Sequence, residues 1–486
     1  MKFSVSRLVL LIAALWNTTT APGQAVTDSL FVLPDSARVF TIENLYTLIL
    51  KHHPVVKQVE LMSEVARQEI RLARGNFDPK AEASLVTKNF NGTEYYKIAN
   101  AELKVPTRFP LDPKVGVDRN SGAYLNPERY IAESYGYQQL YAGISLPLGR
   151  GLFTDERRVT LRQAELFTQT TEAEQVKFVN KLLLDAAKDY WEWYYAYYNF
   201  RLYNRSVRIA KDIFERVKVN SEWGEAAPID TIQAKLTWQE RVIEQQETWL
   251  AFVNSGVRLS NYLWDSLANP LSLQPSWAPA LQQADVPNEA DLESLLEQSR
   301  ENHPELRKIR VKLLHQELDR KLVVENLKPR LDLNYNLINQ PIHPDEGIVM
   351  PSGEDYKFGV DFSFPILLRK ERAKLAMAKL KIAETRYEQA LLTQRILNEI
   401  QATYNQLVNN RVLFDQQRQR AENYNRLLEA EVVNLENGES DLFKLNVQQE
   451  KFLEAQSKVL KLRADLEKQK AALLWAAGIR HLGAQP

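Results

Sequence analysis

The chain has 486 residues, 62 basic and 62 acidic, for a formal net charge of zero. That length supports more than one core, and the charge balance argues against a general affinity for nucleic acid or an anionic membrane surface. There is no cysteine, which excludes disulfides, thiolate metal sites, a cysteine nucleophile and a lipid anchor on an N-terminal cysteine.

Residues 1–25 read as a secretory signal peptide. Lys2 and Arg7 precede the apolar run LVLLIAALW (8–16), and Gly23 and Ala25 supply the small residues of a cleavage site. A short membrane anchor is the other reading. The mature chain is expected to begin near Val26. No later stretch offers the roughly 20 apolar residues of a spanning helix, which leaves an exported soluble protein or a β-barrel whose strands escape hydropathy scans.

The remainder repeats itself. Pro54 and Pro304 are 250 apart (304 − 54), as are Pro79 and Pro329 (329 − 79). His53 and His303 stand just before the first pair. Proline lacks an N–H and suits a first helical turn, while it keeps the preceding residue extended. Both His-Pro steps therefore read as helix starts. A second echo pairs Gly224 in VNSEWGEAAPID with Gly438 in VNLENGESDLFK, 214 apart (438 − 224). The implied division is a first repeat at 26–266, a linker rich in Pro, Ser and Ala at 267–290, a second repeat at 291–477 and a tail at 478–486. Extra residues around 89–135 lengthen the first repeat.

Strands are expected at about 80–147 and 330–365. Leu331, Leu333, Tyr335 and Leu337 alternate with Asp332, Asn334 and Asn336, and Phe358, Val360, Phe362 and Phe364 alternate with Lys357, Gly359, Asp361 and Ser363. Leu140, Ala142, Ile144 and Leu146 alternate with Tyr141, Gly143 and Ser145, and Ala81, Ala83 and Leu85 with Glu82 and Ser84. Period two with one apolar face is a half-buried strand. A soluble antiparallel sheet and a barrel with lipid outside and water inside share this pattern.

Helices are expected at about 155–219, 228–265, 367–437 and 441–477. The first and third lack proline and glycine, and each would run roughly 100 Å at 1.5 Å per residue. Ala376, Ala383, Ala390, Leu397 and Tyr404 fall seven apart, with Leu380 and Tyr387 between them, as do Leu183, Tyr190 and Tyr197. A sustained seven-residue period faces a partner helix. The aromatic run DYWEWYYAYYNFRLYNRS (189–206) is read as helix-packing wedges in preference to a stacking platform for bases or sugars.

Two membrane strands per repeat would make four per chain, and an open edge in lipid leaves backbone groups unpaired at several kcal/mol each. Two copies would close eight strands around a plugged interior, and three would close twelve around a water channel. The polar inward faces favour the channel.

The duplicated order, the two His-Pro helix starts, the strand-Pro-helix passages GISLPLGRGLFTDERR (143–158) and FSFPILLRKERAK (362–374), and the glycine turns together resemble the TolC family of outer-membrane efflux and secretion channels. The resemblance implies an α+β membrane protein with an internal two-fold structural repeat. It implies a homotrimer with a twelve-stranded barrel in outer-membrane lipid, four strands per protomer, continued by a long α-helical coiled-coil barrel through the periplasm of a Gram-negative-type bacterium. Implied partners are an inner-membrane pump of RND, ABC or MFS type and a periplasmic adaptor. Implied function is the exit duct of a tripartite efflux pump for small molecules. The outer-membrane component of type I protein secretion is the alternative, and a periplasmic adaptor a weaker one.

In this family the helix-turn-helix tips constrict the periplasmic end. Gly224 and Gly438 mark those turns here, and Glu222, Glu225, Asp230, Glu439 and Asp441 make them acidic. The family's aspartates six and nine residues after the second-half glycine are replaced by Lys444 and Val447, whereas Asp230 keeps the first-half position. Asp230 and Lys444 are expected to contribute to a tip constriction, paired when it closes. Solvated helix-end charges are the competing reading. No catalytic, cofactor or metal site is expected. The histidines (52, 53, 303, 315, 343 and 481) form no H-E-x-x-H pattern, and no nucleophile elbow or phosphate-binding glycine loop occurs.

Overall fold

The computed structural model describes residues 38–133, 136–224, 226–280, 288–339 and 354–479. The expected signal peptide, most of the C-terminal tail, His343 and His481 lie outside them.

In chain order the elements are β1 (Arg38–Phe40), α1 (Ile42–His52), α2 (Pro54–Arg74), β2 (Lys80–Phe90), β3 (Thr93–Lys104), β4 (Asp112–Ser121), β5 (Gln138–Pro147), α3 (Glu156–Glu222), α4 (Pro228–Ser260), β6 (Trp277–Pro279), α5 (Glu289–Asn302), α6 (Pro304–Glu325), β7 (Arg330–Asn339), β8 (Tyr356–Ser363), α7 (Arg369–Glu436) and α8 (Leu442–Ala476). Both expected long helices form as unbroken runs, α3 of 67 and α7 of 68 residues. None of the described helices is long and apolar enough to cross a membrane.

The chain forms two compact units. Among the described residues, one is built from Arg38–Val59, Val176–His303 and Gln394–Ile479, and the other from Glu60–Gln175 and Pro304–Thr393. Each draws on both repeats.

The first unit has an aromatic core. Trp193, Tyr190, Tyr194 and Tyr198 on α3 are almost wholly buried, with Leu45, Ile49, Leu259, Leu263 and Leu460 around them. The run at 189–206 therefore packs, as expected. Its hydroxyls are also used: Tyr190 donates to the Phe40 carbonyl at 2.8 Å and Tyr198 to that of Pro279 at 3.1 Å. Those acceptors lie on β1 and β6, which pair in parallel. The linker expected at 267–290 thus supplies a strand, and α3 is fastened to it.

The second unit carries an antiparallel sheet in the order β2-β3-β4-β5-β7-β8. It has six strands, which corrects the expectation of four per chain. The insertion around 89–135 supplies the additional pair. Asn91 and Gly92 both have positive φ, at 54° and 77°, the two-residue turn that matches strand twist. It folds β3 straight back onto β2.

The α7 seam expected from Ala376, Ala383 and Ala390 is not the one this chain packs. These alanines are exposed, as are Leu380 (70%) and Tyr387 (77%). Ile382 is buried instead, and Thr385 accepts from the buried Gln316 of α6 at 2.9 Å. The seven-residue period is thus exposed over 376–390, whereas further along the same helix Leu397 is half-buried and Tyr404 is buried.

Candidate functional site

Three places hold the residues singled out by sequence: the His-Pro steps, the glycine turns and the sheet. His53 has extended backbone (φ −66°, ψ 132°) between α1 and α2, and α2 begins at Pro54. Its Nδ1 accepts the Val55 N–H at 3.2 Å, and its ring lies 6.3 Å from that of Tyr262 and 6.0 Å from that of Trp264. Burial lowers its pKa, against a backbone hydrogen bond at Asn261 that works the other way. This is a helix junction holding a neutral ring. His303 likewise caps α5 before Pro304 opens α6. Among the described residues no cluster could hold a metal ion.

In the first unit, Gly224 and Gly438 have φ of +80° and +76°, the left-handed region that favours glycine. At the second turn Glu439 N–H reaches the Asn434 carbonyl at 2.8 Å and Gly438 N–H that of Leu435 at 3.1 Å, which satisfies two orphan carbonyls at the end of α7. Asp441 caps α8, accepting the Lys444 N–H at 2.9 Å. That hydrogen bond, with the Lys444 ammonium 3.5 Å away, holds the Asp441 carboxyl below its usual range. Asp230 accepts the Ala227 N–H at 3.3 Å at the start of α4. Glu439 is exposed. Glu225 lies outside the described residues. Within one chain, then, Lys444 pairs with Asp441 and Asp230 serves its own helix. Among the described residues no ion pair joins Asp230 to Lys444, because each is taken up by the local geometry of a helix start.

The sheet sorts its side chains by face. Strand register sets Leu333 beside Val360 and Leu146, and Val115 beside Leu103 and Ala142. Leu85, Leu103, Val115, Phe358, Val360 and Phe362 stay between 42% and 68% exposed on that apolar face. So broad an apolar surface is abnormal for a sheet in water. Strands of 8 to 12 residues match the roughly 9–11 that cross a bilayer when tilted.

The opposite face is polar and networked. Tyr141 donates to Glu102 at 2.9 Å, while Asn100 donates to Asp118 at 2.7 Å and to the Tyr141 hydroxyl at 3.1 Å. Lys114 stands 3.9 Å from Glu102. Gly116 leaves the space this needs, since a Cβ there would lie 2.5 Å from the Tyr141 ring. Sequence reasoning identified the alternation of β2, β5, β7 and β8 but missed Glu102, Asn100 and Asp118. The Asn-Gly turn at 91–92 was the available signal, since it predicts a partner strand running back from β2.

Residues 295–478 match the family model described as outer membrane efflux protein. No curated protein matches significantly. Among solved structures, the CmeC outer membrane channel of Campylobacter jejuni is 14% identical, with 90% of this chain and 85% of that chain covered and a TM-score of 0.61. The outer membrane protein VceC of Vibrio cholerae is 14% identical, with 90% and 96% covered and a TM-score of 0.60. The open-state MtrE outer membrane channel of Neisseria gonorrhoeae is 13% identical, with 90% and 89% covered and a TM-score of 0.61. At these identities the likeness is one of fold, and it spans nearly the whole chain.

Proposed function

We propose, from the match of residues 295–478 to the outer membrane efflux protein model, that the chain is an outer-membrane channel serving as the exit duct of a tripartite efflux pump. The observation that carries this is the six-stranded sheet, apolar on one face and hydrogen-bonded on the other, with β2 and β8 left as free edges. In lipid such edges cannot stay unpaired. Pairing β2 of one copy with β8 of the next satisfies both, and an even number of strands per copy keeps every pair antiparallel.

Three copies would close eighteen strands, six from each. With strands about 4.8 Å apart and tilted about 40°, that barrel is roughly 36 Å across, against about 24 Å for twelve. The open alanine seam of α7 supports the same assembly, since Ala376, Ala383 and Ala390 let a neighbouring helix approach closely. Its docking partners are an inner-membrane pump and a periplasmic adaptor. Threefold repetition of Asp230, Glu439 and Asp441 at the helical turns gives a local preference for cations, with Lys444 lowering it. The family's efflux description favours small-molecule export over protein secretion.

The test is fractionation followed by gel electrophoresis with and without heating. A heat-modifiable oligomer in the outer membrane is expected, together with raised antibiotic sensitivity on gene loss. Recovery as a soluble periplasmic monomer would sink the reading.

A further inference from the structure

The loop joining β4 to β5 is described at residues 122–133 and 136–137. It turns back over the polar face of the sheet. Asn120 stands on that face, in register with Ile98 and level with the strand ends. Only 5% exposed, it donates its side-chain amide to the Arg129 carbonyl at 3.0 Å. Its N–H donates to the Tyr137 carbonyl at 2.9 Å. Within the loop a short 3-10 turn forms at Pro127–Arg129, and Ile131 is buried to 5% exposure. Arg129, Tyr130 and Ile131 line a cavity of about 660 Å³ together with Glu102 and Tyr141. By contrast the β2–β3 connection is the tight pair Asn91-Gly92, which has no residues to fold inward.

We propose that residues 127–131 form an internal constriction of the barrel, a size filter that restricts this duct to small solutes. The inference rests on the channel reading above, with the polar face turned to the lumen. A barrel of eighteen strands is wider than one of twelve, and three inward loops would reduce its bore near the extracellular mouth. Two features fit a fixed obstruction. The loop is pinned through a buried side chain, and the wall it covers is already cross-linked by the Glu102–Tyr141–Asn100–Asp118 hydrogen bonds. Acids and bases are mixed there, since Glu102, Asp118 and Glu128 share the cavity wall with Lys114 and Arg129. The filter therefore acts by size more than by sign of charge.

The absence of cysteine makes a direct test available. Glu82→Cys places one thiol on the polar face of β2, in register with Glu102 and Gly116. That level is four residues below Asn120, about 13 Å deeper at 3.3 Å per residue. Intact cells are treated from outside with a small hydrophilic maleimide or with a maleimide on a bulky polyethylene glycol. With the natural loop, the small reagent is expected to label and the bulky one to lag by roughly tenfold or more, as a narrowed pore requires. Replacing residues 126–131 by two glycines should remove the lag. Asn120→Ala, which releases the pin without shortening the loop, should reduce it if the deletion fails to assemble. Equal lag with the natural, shortened and unpinned loops would overturn the constriction. Failure of the small reagent to label any assembled variant would instead overturn the channel reading itself.

Discussion

Asp155 is a single side chain on which the start of α3 depends. It precedes Glu156, the first helical residue, and accepts the Arg158 N–H at 2.8 Å as a helix cap. Its carboxylate also lies 3.2 Å from the Arg158 guanidinium and 3.3 Å from that of Arg157, which reaches on to Asp112 at the start of β4 at 3.2 Å. These carboxylate and guanidinium groups are 17% to 29% exposed, so solvent screens them only in part. Loss of a cap costs about 1 kcal/mol, and loss of charged hydrogen bonds in this setting about 1–2 kcal/mol more. Asp155→Ala should therefore make opening of the first turn of α3 about 2–3 kcal/mol easier, and its amides should exchange about 30- to 150-fold faster. Asp155→Asn keeps a capping side chain and should lose only the ionic part, about 5- to 30-fold. Hydrogen exchange on the purified oligomer in detergent reads both.

Acid supplies an independent check. Burial acts to raise the Asp155 pKa, but the hydrogen bonds from Arg158 and the charges of Arg158 and Arg157 outweigh it and leave the pKa lowered. A depressed carboxyl pKa stabilises the folded state above the unfolded value of about 3.9, and that stability is lost as pH falls through the folded value. The advantage of the natural protein over Asp155→Asn should thus hold at neutral pH and fade below about pH 4. Equal exchange of the natural protein and Asp155→Ala at neutral pH would refute the reasoning.

The sheet faces can be tested in pairs. Val360→Arg puts a charge on the apolar face and should cost about 2–4 kcal/mol if that face meets the middle of a bilayer, lowering the yield of oligomer in the outer membrane. Asp361→Arg, one residue along on the polar face, should change it by less than about 1 kcal/mol, and equal losses from both would contradict the assignment of faces. At the turn, Gly438→Ala places nothing within 4 Å of its new Cβ, so its cost is backbone strain alone, about 1–2 kcal/mol. Faster amide exchange confined to the ends of α7 and α8 is the expected signature.

Much of the fold was legible because its signals are local. The absence of proline and glycine from 369 to 436 specifies an unbroken helix, since nothing in that stretch interrupts the hydrogen-bond ladder. Pro54 and Pro304 fixed helix starts to the residue for the same reason. Alternation in RLDLNYNL sorts an apolar face from a polar one, because a strand's period is two whatever its neighbour. What escaped was relational. Glu102 and Tyr141 are 39 residues apart in sequence and meet only through the register of β3, β4 and β5. Within one chain Asp230 accepts the Ala227 N–H and Lys444 pairs with Asp441, contacts that depend on the local backbone of each helix start.

The amino-acid sequence by itself determined the elements, their duplication and the chemistry of each face, because propensity, capping and periodicity act over a few residues. Only the tertiary structure decided that the insertion around 89–135 adds two strands to the sheet. It also decided that the β4–β5 loop folds inward upon Asn120 and that the alanine seam of α7 is left open. Those outcomes depend on which surfaces meet, and that choice is made by packing between residues far apart in the chain.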